Sequence, residues 1–337
     1  MLFHSDLRTS THMALAMATV QGLTSASTSC GVLPRLSPGA WDTHVHVFDS
    51  TIGSFAPDRA YTPAEAPLPD LLEFSRTLTQ DNSLTNLVIV QPSPYGTDNT
   101  VLLEVLRQLH AQGHTARGVA VVDVEKTSDE QFWCLHHAGI RGLRLNKRAD
   151  EDTFSPQELA KNITKVASRI KNLPGWKLQL FISGDLWDGL YDALVDLPVQ
   201  VIADHLGGML GSSKLGSTTL DPTKQRGFDS LMRLAEQSRV FVKVSGLYRI
   251  SAMNETGYDD LEPIVRTFAE KVPDRLIYGS DWPHTGDASG RTGRNSTDIE
   301  EFRKIDDELV IANLKRWIRN EKTWNKMLVT TPGQVFR

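Results

Sequence analysis

The stretch AWDTHVHVFDS, residues 40–50, alternates in the manner of a β-strand. Successive strand side chains point to opposite faces. The pattern therefore predicts Asp42, His44 and His46 on one face and Thr43, Val45 and Val47 on the other. Two imidazoles beside a carboxylate are either the wet side of a half-exposed strand or part of a site. The rest of the chain decides between them.

Short β-branched runs of the same kind recur: NLVIVQP, GVAVVD, RGLRLN, KLQLFIS, VQVIADH, VFVKVSG and RLIYGSD. With the first they make eight. Segments with helical spacing of apolar residues lie between them, such as Thr100 to Gln112 and Asp185 to Leu197, and alternation of this type signals parallel βαβ units. No GxGxxG follows the first run, which argues against an open dinucleotide-binding sheet. The prediction is an α/β fold, a single (β/α)₈ barrel over residues 40–337, preceded by a loose N-terminal extension, residues 1–39. Two stretches exceed ordinary loop length, Asp49 to Pro69 and Gly207 to Gln225. Both follow strands, on the barrel face that carries active sites, so both are candidate substrate loops.

The 337 residues are 40% hydrophobic and 23% charged, with a formal net charge of −5. That balance offers no broad electrostatic case for nucleic acid or an anionic membrane, and leaves only local basic pockets for a small anion. The two cysteines, Cys30 and Cys134, form neither a thiolate cluster nor a disulfide framework. A reducing, cytoplasmic setting fits, with the Ser/Thr-rich, acid-poor start leaving an organelle-targeting role open. MALAMATVQGL is too short and mixed to span a bilayer.

A barrel of this type builds its site at the C-terminal ends of its strands. There the sequence places His44 and His46, Arg144, the pair Asp204 and His205, Arg249 after the seventh run, and Asp281 in GSDWPH. Groups far apart in sequence are thus gathered on one rim.

In DTHVHVF, QPSPYGTDN, RGLRLN, DHLGG, VKVSGLYRIS and YGSDWPHT the chain, from about Trp41 onward, resembles the amidohydrolase superfamily. The likeness is to the branch that contains 2-pyrone-4,6-dicarboxylate lactonases, sulfomuconolactone hydrolases and sugar-acid lactonases. The resemblance implies hydrolysis of a carboxylated lactone, or the reverse ring closure. His44, His46 and His205 would polarise the carbonyl, and Asp281 would be the base toward water. Arg144 and Arg249 would bind substrate carboxylate, with Arg148 a further such group if a short gap is allowed in LNKR. The local alternative for Arg144 and Arg148 is pairing with Asp150 or Glu151. Tyr61 and Ser93 fall where the family contacts substrate, Tyr95 stands where a histidine is expected, and Phe181 where a strand-five tyrosine is expected.

Burial is expected to raise the pKa of Asp281 toward the working pH. His44, His46, His205 and Asp281 also form a ligand set suited to one divalent ion, Zn²⁺ or Mn²⁺. The fifth run offers Lys177 and Gln179 but no ligand for a second ion. The cofactor is therefore none, or one such metal. Lys243 and Asp204 read as a buried ion pair, or Asp204 as a support for an imidazole. His284 is expected to stack on Trp282 or Pro283, and His136 and His137 to face solvent. Two other functions remain open: a metal-dependent non-oxidative decarboxylase of the same superfamily, and a catalytically silent barrel that binds a small acid.

Overall fold

Each of the eight β-branched runs is a strand in the computed structural model, which describes residues 34–146, 155–216, 221–287, 290–291 and 293–337. They are β1 (Trp41–Val45), β2 (Asn86–Val90), β3 (Ala116–Ala120) and β4 (Ile140–Asn146), then β5 (Lys177–Phe181), β6 (Val201–Ala203), β7 (Val240–Val244) and β8 (Leu276–Tyr278). All pair in parallel in sequence order. The sheet closes where Val45 bridges Trp282, and Asp281 N donates to His44 O at 2.8 Å.

Helices α1 (Leu68–Leu78), α2 (Thr100–Ala111), α3 (Asp129–His137) and α4 (Pro156–Ile170) cover the sheet in turn with α5 (Trp187–Val195), α6 (Phe228–Glu236), α7 (Glu262–Lys271) and α8 (Asp307–Trp317). Their starts are locally encoded. Ser128 with Gln131 and Ser155 with Glu158 form reciprocal caps at α3 and α4, each satisfying amide groups that a helix leaves unpaired. Along α2, Val101, Leu102, Val105, Leu106 and Leu109 are the buried stripe anticipated from their spacing. The architecture is a (β/α)₈ barrel. Of the N-terminal extension, residues 1–33 lie outside the described residues. Leu36 is fully buried and pairs through its backbone with Leu78 and Gln80, so this part is tied to the barrel.

Asp42 departs from the alternation. The register of β1 against β2 shifts between Asp42 and Val45, and an extra residue in a strand re-aims the side chains around it. Oδ1 of Asp42 accepts from the amides of Ser280 and His44, so it does not join the two imidazoles. Trp41 instead belongs to an apolar interior cluster with Val88, Val119, Ile202, Phe241 and Phe336. The rings of Trp41 and Phe336 stack at 6.2 Å and plug the barrel beneath a polar layer.

The long loop after β1 and the segment after β8 are joined. Thr62–Pro63 and Ile299–Glu300 form a two-stranded parallel sheet, and Arg291 makes two bonds to Glu300 while lying 3.7 Å over the ring of Tyr61.

Candidate active site

Three strand ends converge above the polar layer. His44 and His46 come from β1, His205 follows β6 and Asp281 follows β8, all of them buried. The backbone turns sharply there: His205, Leu206 and Asp281 hold φ of 52°, 52° and 68°. Left-handed non-glycine residues cost about 1–3 kcal/mol each and gather at functional sites. Gly246, at φ +53°, closes the remaining side. A Cβ there would lie 2.5 Å from Nδ1 of His205 and 2.6 Å from Oδ2 of Asp281, so only glycine fits.

The two oxygens of Asp281 differ. Oδ2 accepts from Nε of Arg249 at 2.6 Å and from the Tyr248 hydroxyl at 2.7 Å. Oδ1 has no hydrogen-bond partner and lies 3.6 Å from Nε2 of both His44 and His46. Burial pushes this carboxyl up, as expected from sequence. The Arg249 guanidinium, His205 and the other imidazoles outweigh burial and hold it well below the usual carboxylate range. The expectation of a raised pKa is therefore corrected. An adjacent cation stabilises the ionised form more than desolvation penalises it.

Burial pushes all three imidazoles down, His205 to about 3, with Lys243 adding to the effect at His44. They are neutral at neutral pH. Nδ1 of His46 lies 2.8 Å from the Val90 carbonyl oxygen, which only accepts, so Nδ1 carries the proton and Nε2 holds a lone pair. Nδ1 of His205 meets the Ser245 hydroxyl at 2.9 Å, and its Nε2 is buried without a partner.

Beneath them lies a layer of compensated charge. Nζ of Lys243, fully buried, donates to Thr43 O and to Oε1 of Gln179, both at 2.9 Å, and lies 3.3 Å from Oδ1 of Asp204. Asp204 also takes Nε of Arg144 at 3.1 Å and Nε2 of Gln179 at 3.0 Å. Burial pushes Lys243 down, to about 8, and Asp204 opposes that. Burial raises Asp204, yet Lys243, His44 and Arg144 together hold it well below the usual range. The ion-pair reading of Lys243 and Asp204 therefore holds, while Oδ1 of Asp204 lies 3.4 Å from Nδ1 of His44 without a hydrogen bond to it.

A pocket of about 400 Å³ opens above. Of the residues singled out in sequence, His46, Tyr61, Ser93, Arg144, Phe181 and Arg249 line it. Phe181 packs edge-on to His205 at 4.6 Å and lies beneath the Arg144 guanidinium. Tyr95 does not reach the pocket. Its ring packs among Phe48 and Phe55, and its hydroxyl accepts from the Asp49 amide. Arg148, with Asp150 and Glu151, lies outside the described residues; among the described residues Arg144 pairs with Asp204. Arg249 lines the pocket but is committed first to Asp281, Thr285 and Gly286 O. His284 pairs with Asp307 at 3.0 Å and does not stack on Trp282. His137 is exposed, while His136 accepts a bond from Trp176.

Sequence reasoning missed Leu210, Lys214, Thr285 and Arg291 on the pocket wall, and Tyr248 behind Asp281. Tyr61 lies in the first long loop, and Leu210 and Lys214 in the second, so both candidate substrate loops contribute walls. The only sequence signal for Arg291 is its place in a basic, glycine-rich run, GRTGRN.

The ligating atoms of His44, His46 and Asp281 lie within 4.8 Å of one another, as do those of His44, Asp204 and His205. With Nε2 of His44 and Oδ1 of Asp281 buried and unpartnered, the first group fits a single ion. In the second, Asp204 is already neutralised by Lys243 and Arg144. No helix among the described residues is long and apolar enough to cross a membrane.

Among known proteins, residues 41–312 match the profile of the family described as amidohydrolase. A 2-pyrone-4,6-dicarboxylate hydrolase of Comamonas testosteroni is 32% identical over 74% of this chain and 78% of its own. A 4-sulfomuconolactone hydrolase of Rhizobium radiobacter is 28% identical over 88% of this chain and 90% of its own. A crystal structure from Pseudomonas putida, provisionally named a 2-pyrone-4,6-dicarboxylic acid hydrolase, superposes with a TM-score of 0.66 at 25% identity, covering 88% of this chain and 97% of that one.

Proposed function

Because the chain belongs to the amidohydrolase family, we propose that it is a hydrolase that opens a lactone of a carboxylated small molecule with water activated by Asp281. The observation that carries this reading is the buried, unpartnered oxygen of Asp281, 3.6 Å from Nε2 of both His44 and His46, with His46 and two arginines on the wall of the pocket above. The relatives are named for lactone substrates, one of them a dicarboxylate.

Oδ1 of Asp281 and Nε2 of His46 are both acceptors, and water has two donors to give them. The water oxygen bonds to the lactone carbonyl carbon as its proton passes to Oδ1. The carbonyl oxygen becomes an oxyanion facing His44 and His205, and preorganised donors at such a position are worth about 3–4 kcal/mol each. Collapse breaks the ring C–O bond, and the proton on Asp281 passes to the leaving oxygen. His46, neutral and protonated on Nδ1, accepts here and does not polarise the carbonyl.

Asp281 is ionised throughout the neutral range, which keeps it ready. Its depressed basicity means that transfer completes only as the C–O bond forms and the water becomes acidic. Arg249 has five N–H donors, three of them used on Asp281, Thr285 and Gly286. The remainder, with Arg144, meet the substrate carboxylate. One divalent ion, zinc or manganese, fits His44, His46 and Asp281 and when bound supplies Lewis-acid polarisation of the carbonyl.

That ligand set also favours a second reading, non-oxidative decarboxylation. A panel of carboxylated lactones assayed by proton release, run beside a CO₂ assay and elemental analysis, separates the two. Proton release without CO₂ is the expected result. Decarboxylation with stoichiometric metal and no lactone turnover refutes the lactonase reading.

A further inference from the structure

His44 and His46 lie on one strand with their rings 5.0 Å apart, yet they face opposite partners behind the site. We propose that Lys243 is a positioning residue that holds His44 as the Nε2–H tautomer, a hydrogen-bond donor, beside a His46 held in the opposite tautomer as an acceptor.

The assignment follows from counting donors. The Gln179 amide is oriented by Asp204, a carboxylate that only accepts, so Nε2 of Gln179 faces Asp204 and Oε1 faces Lys243. Nζ of Lys243 thus meets two carbonyl oxygens, those of Thr43 and Gln179, and lies beside the Asp204 carboxylate. Among acceptors alone, the group is an ammonium with three donors and no lone pair. Two of its N–H groups are taken by the carbonyls. The third makes a hydrogen bond to Nδ1 of His44 at 3.2 Å, while Oδ1 of Asp204 is left without one. A nitrogen that accepts from an ammonium carries no proton, so the proton of neutral His44 sits on Nε2. The competing arrangement puts Nδ1–H onto Oδ1 of Asp204 at 3.4 Å and drives it against the ammonium.

For the hydrolase reading, on which its catalytic meaning rests, the consequence is a division of labour: His46 and Asp281 take the water, and His44 donates to the carbonyl oxygen. A second consequence concerns metal. An ion bound at Nε2 of His44 must expel that proton and return it to Nδ1, against Lys243. The lysine therefore weakens metal binding by a ligand set whose spacing otherwise suits it.

The test is long-range ¹H–¹⁵N NMR of chelator-treated, ¹⁵N-histidine-labelled protein, with the His44 signals identified by their loss in His44→Gln. Wild type is expected to show an unprotonated Nδ1 and a protonated Nε2 for His44, and the reverse for His46. In Lys243→Met the His44 proton should move to Nδ1, and zinc affinity by chelator competition should rise about 10–100-fold, the range over which partners behind a ligand tune metal binding. A protonated Nδ1 in wild-type His44 overturns the proposal. So does a folded Lys243→Met variant with the wild-type His44 pattern and unchanged zinc affinity. If that variant fails to fold, the wild-type spectrum decides alone. None of these readouts is turnover, so a failed lactone panel and a failed tautomer assignment are told apart.

Discussion

Replacing Arg249 with methionine tests whether this guanidinium serves Asp281 before it serves a substrate. The change removes the 2.6 Å bond to Oδ2 and leaves the Tyr248 hydroxyl as the donor to that oxygen among the described residues. Asp281 is fully buried, and breaking a buried pair by deleting one partner costs about 3–5 kcal/mol. The carboxylate relieves that cost by taking up a proton. At about 1.4 kcal/mol per pH unit, even the lower figure moves the acid limb of kcat upward by about 2 pH units. The sign is set by the proposed mechanism: Asp281 must be ionised to accept a proton, so a raised pKa would deprive the enzyme of base at the acid end first. At neutral pH a carboxyl raised by about 2 units from below the usual range stays ionised, so kcat should change little there and the loss should grow toward acid. It should fall on the carboxylated lactone and its methyl ester alike. The assay is a pH series of initial rates on that pair of substrates. A KM increase confined to the acid, with kcat and its pH profile unchanged, refutes the reasoning and returns Arg249 to the plain carboxylate anchor that the sequence suggests.

Asp281→Asn should keep the fold and ligand binding, by calorimetry with the product acid, while kcat falls by about 10²–10⁴-fold; near-normal turnover removes Asp281 from the chemistry. Phe181 lines the pocket without a hydroxyl, so activity on pyrone dicarboxylate should be weak, and Phe181→Tyr should raise kcat/KM for it about tenfold, the worth of one net hydrogen bond. An unchanged ratio would show that the added hydroxyl meets no substrate group. Tyr95→Phe deletes only the acceptor for the Asp49 amide and should cost about 0.5–1.5 kcal/mol in urea unfolding with KM unchanged; a large KM effect would place Tyr95 at the substrate.

The barrel was legible because β-branched runs recur eight times with apolar helical stripes between them. His44, His46, His205 and Asp281 were legible because a barrel places strand ends on one rim. Asp42 was not, since alternation carries no mark of a register shift and the bulge is set by pairing with β2. The electrostatic state of Asp281 was hidden for a related reason. Burial can be guessed from a strand end, but the sign of the shift depends on where the Arg249 side chain turns after Gly246. Tyr95 misled because proximity to a site motif says nothing of direction, and its ring joins the Phe48 and Phe55 cluster. Arg291 comes from a segment beyond β8 with no periodic pattern, and the small sheet between Thr62–Pro63 and Ile299–Glu300, with the bonds of Arg291 to Glu300 and Gly286 O, ties that segment to the pocket.

The stacked rings of Trp41 and Phe336 have an effect at the far end of the barrel. They seal one mouth of a tube whose next layer holds Lys243, Asp204 and Gln179. A closed mouth on that side leaves the pocket side as the route by which water and protons reach the polar layer. The same seal keeps the effective dielectric around the Lys243 and Asp204 charges low, so their influence on His44 is scarcely screened by salt. Phe336 lies at the opposite end of the barrel from the reacting atoms. It nonetheless helps set the strength of every electrostatic interaction above it.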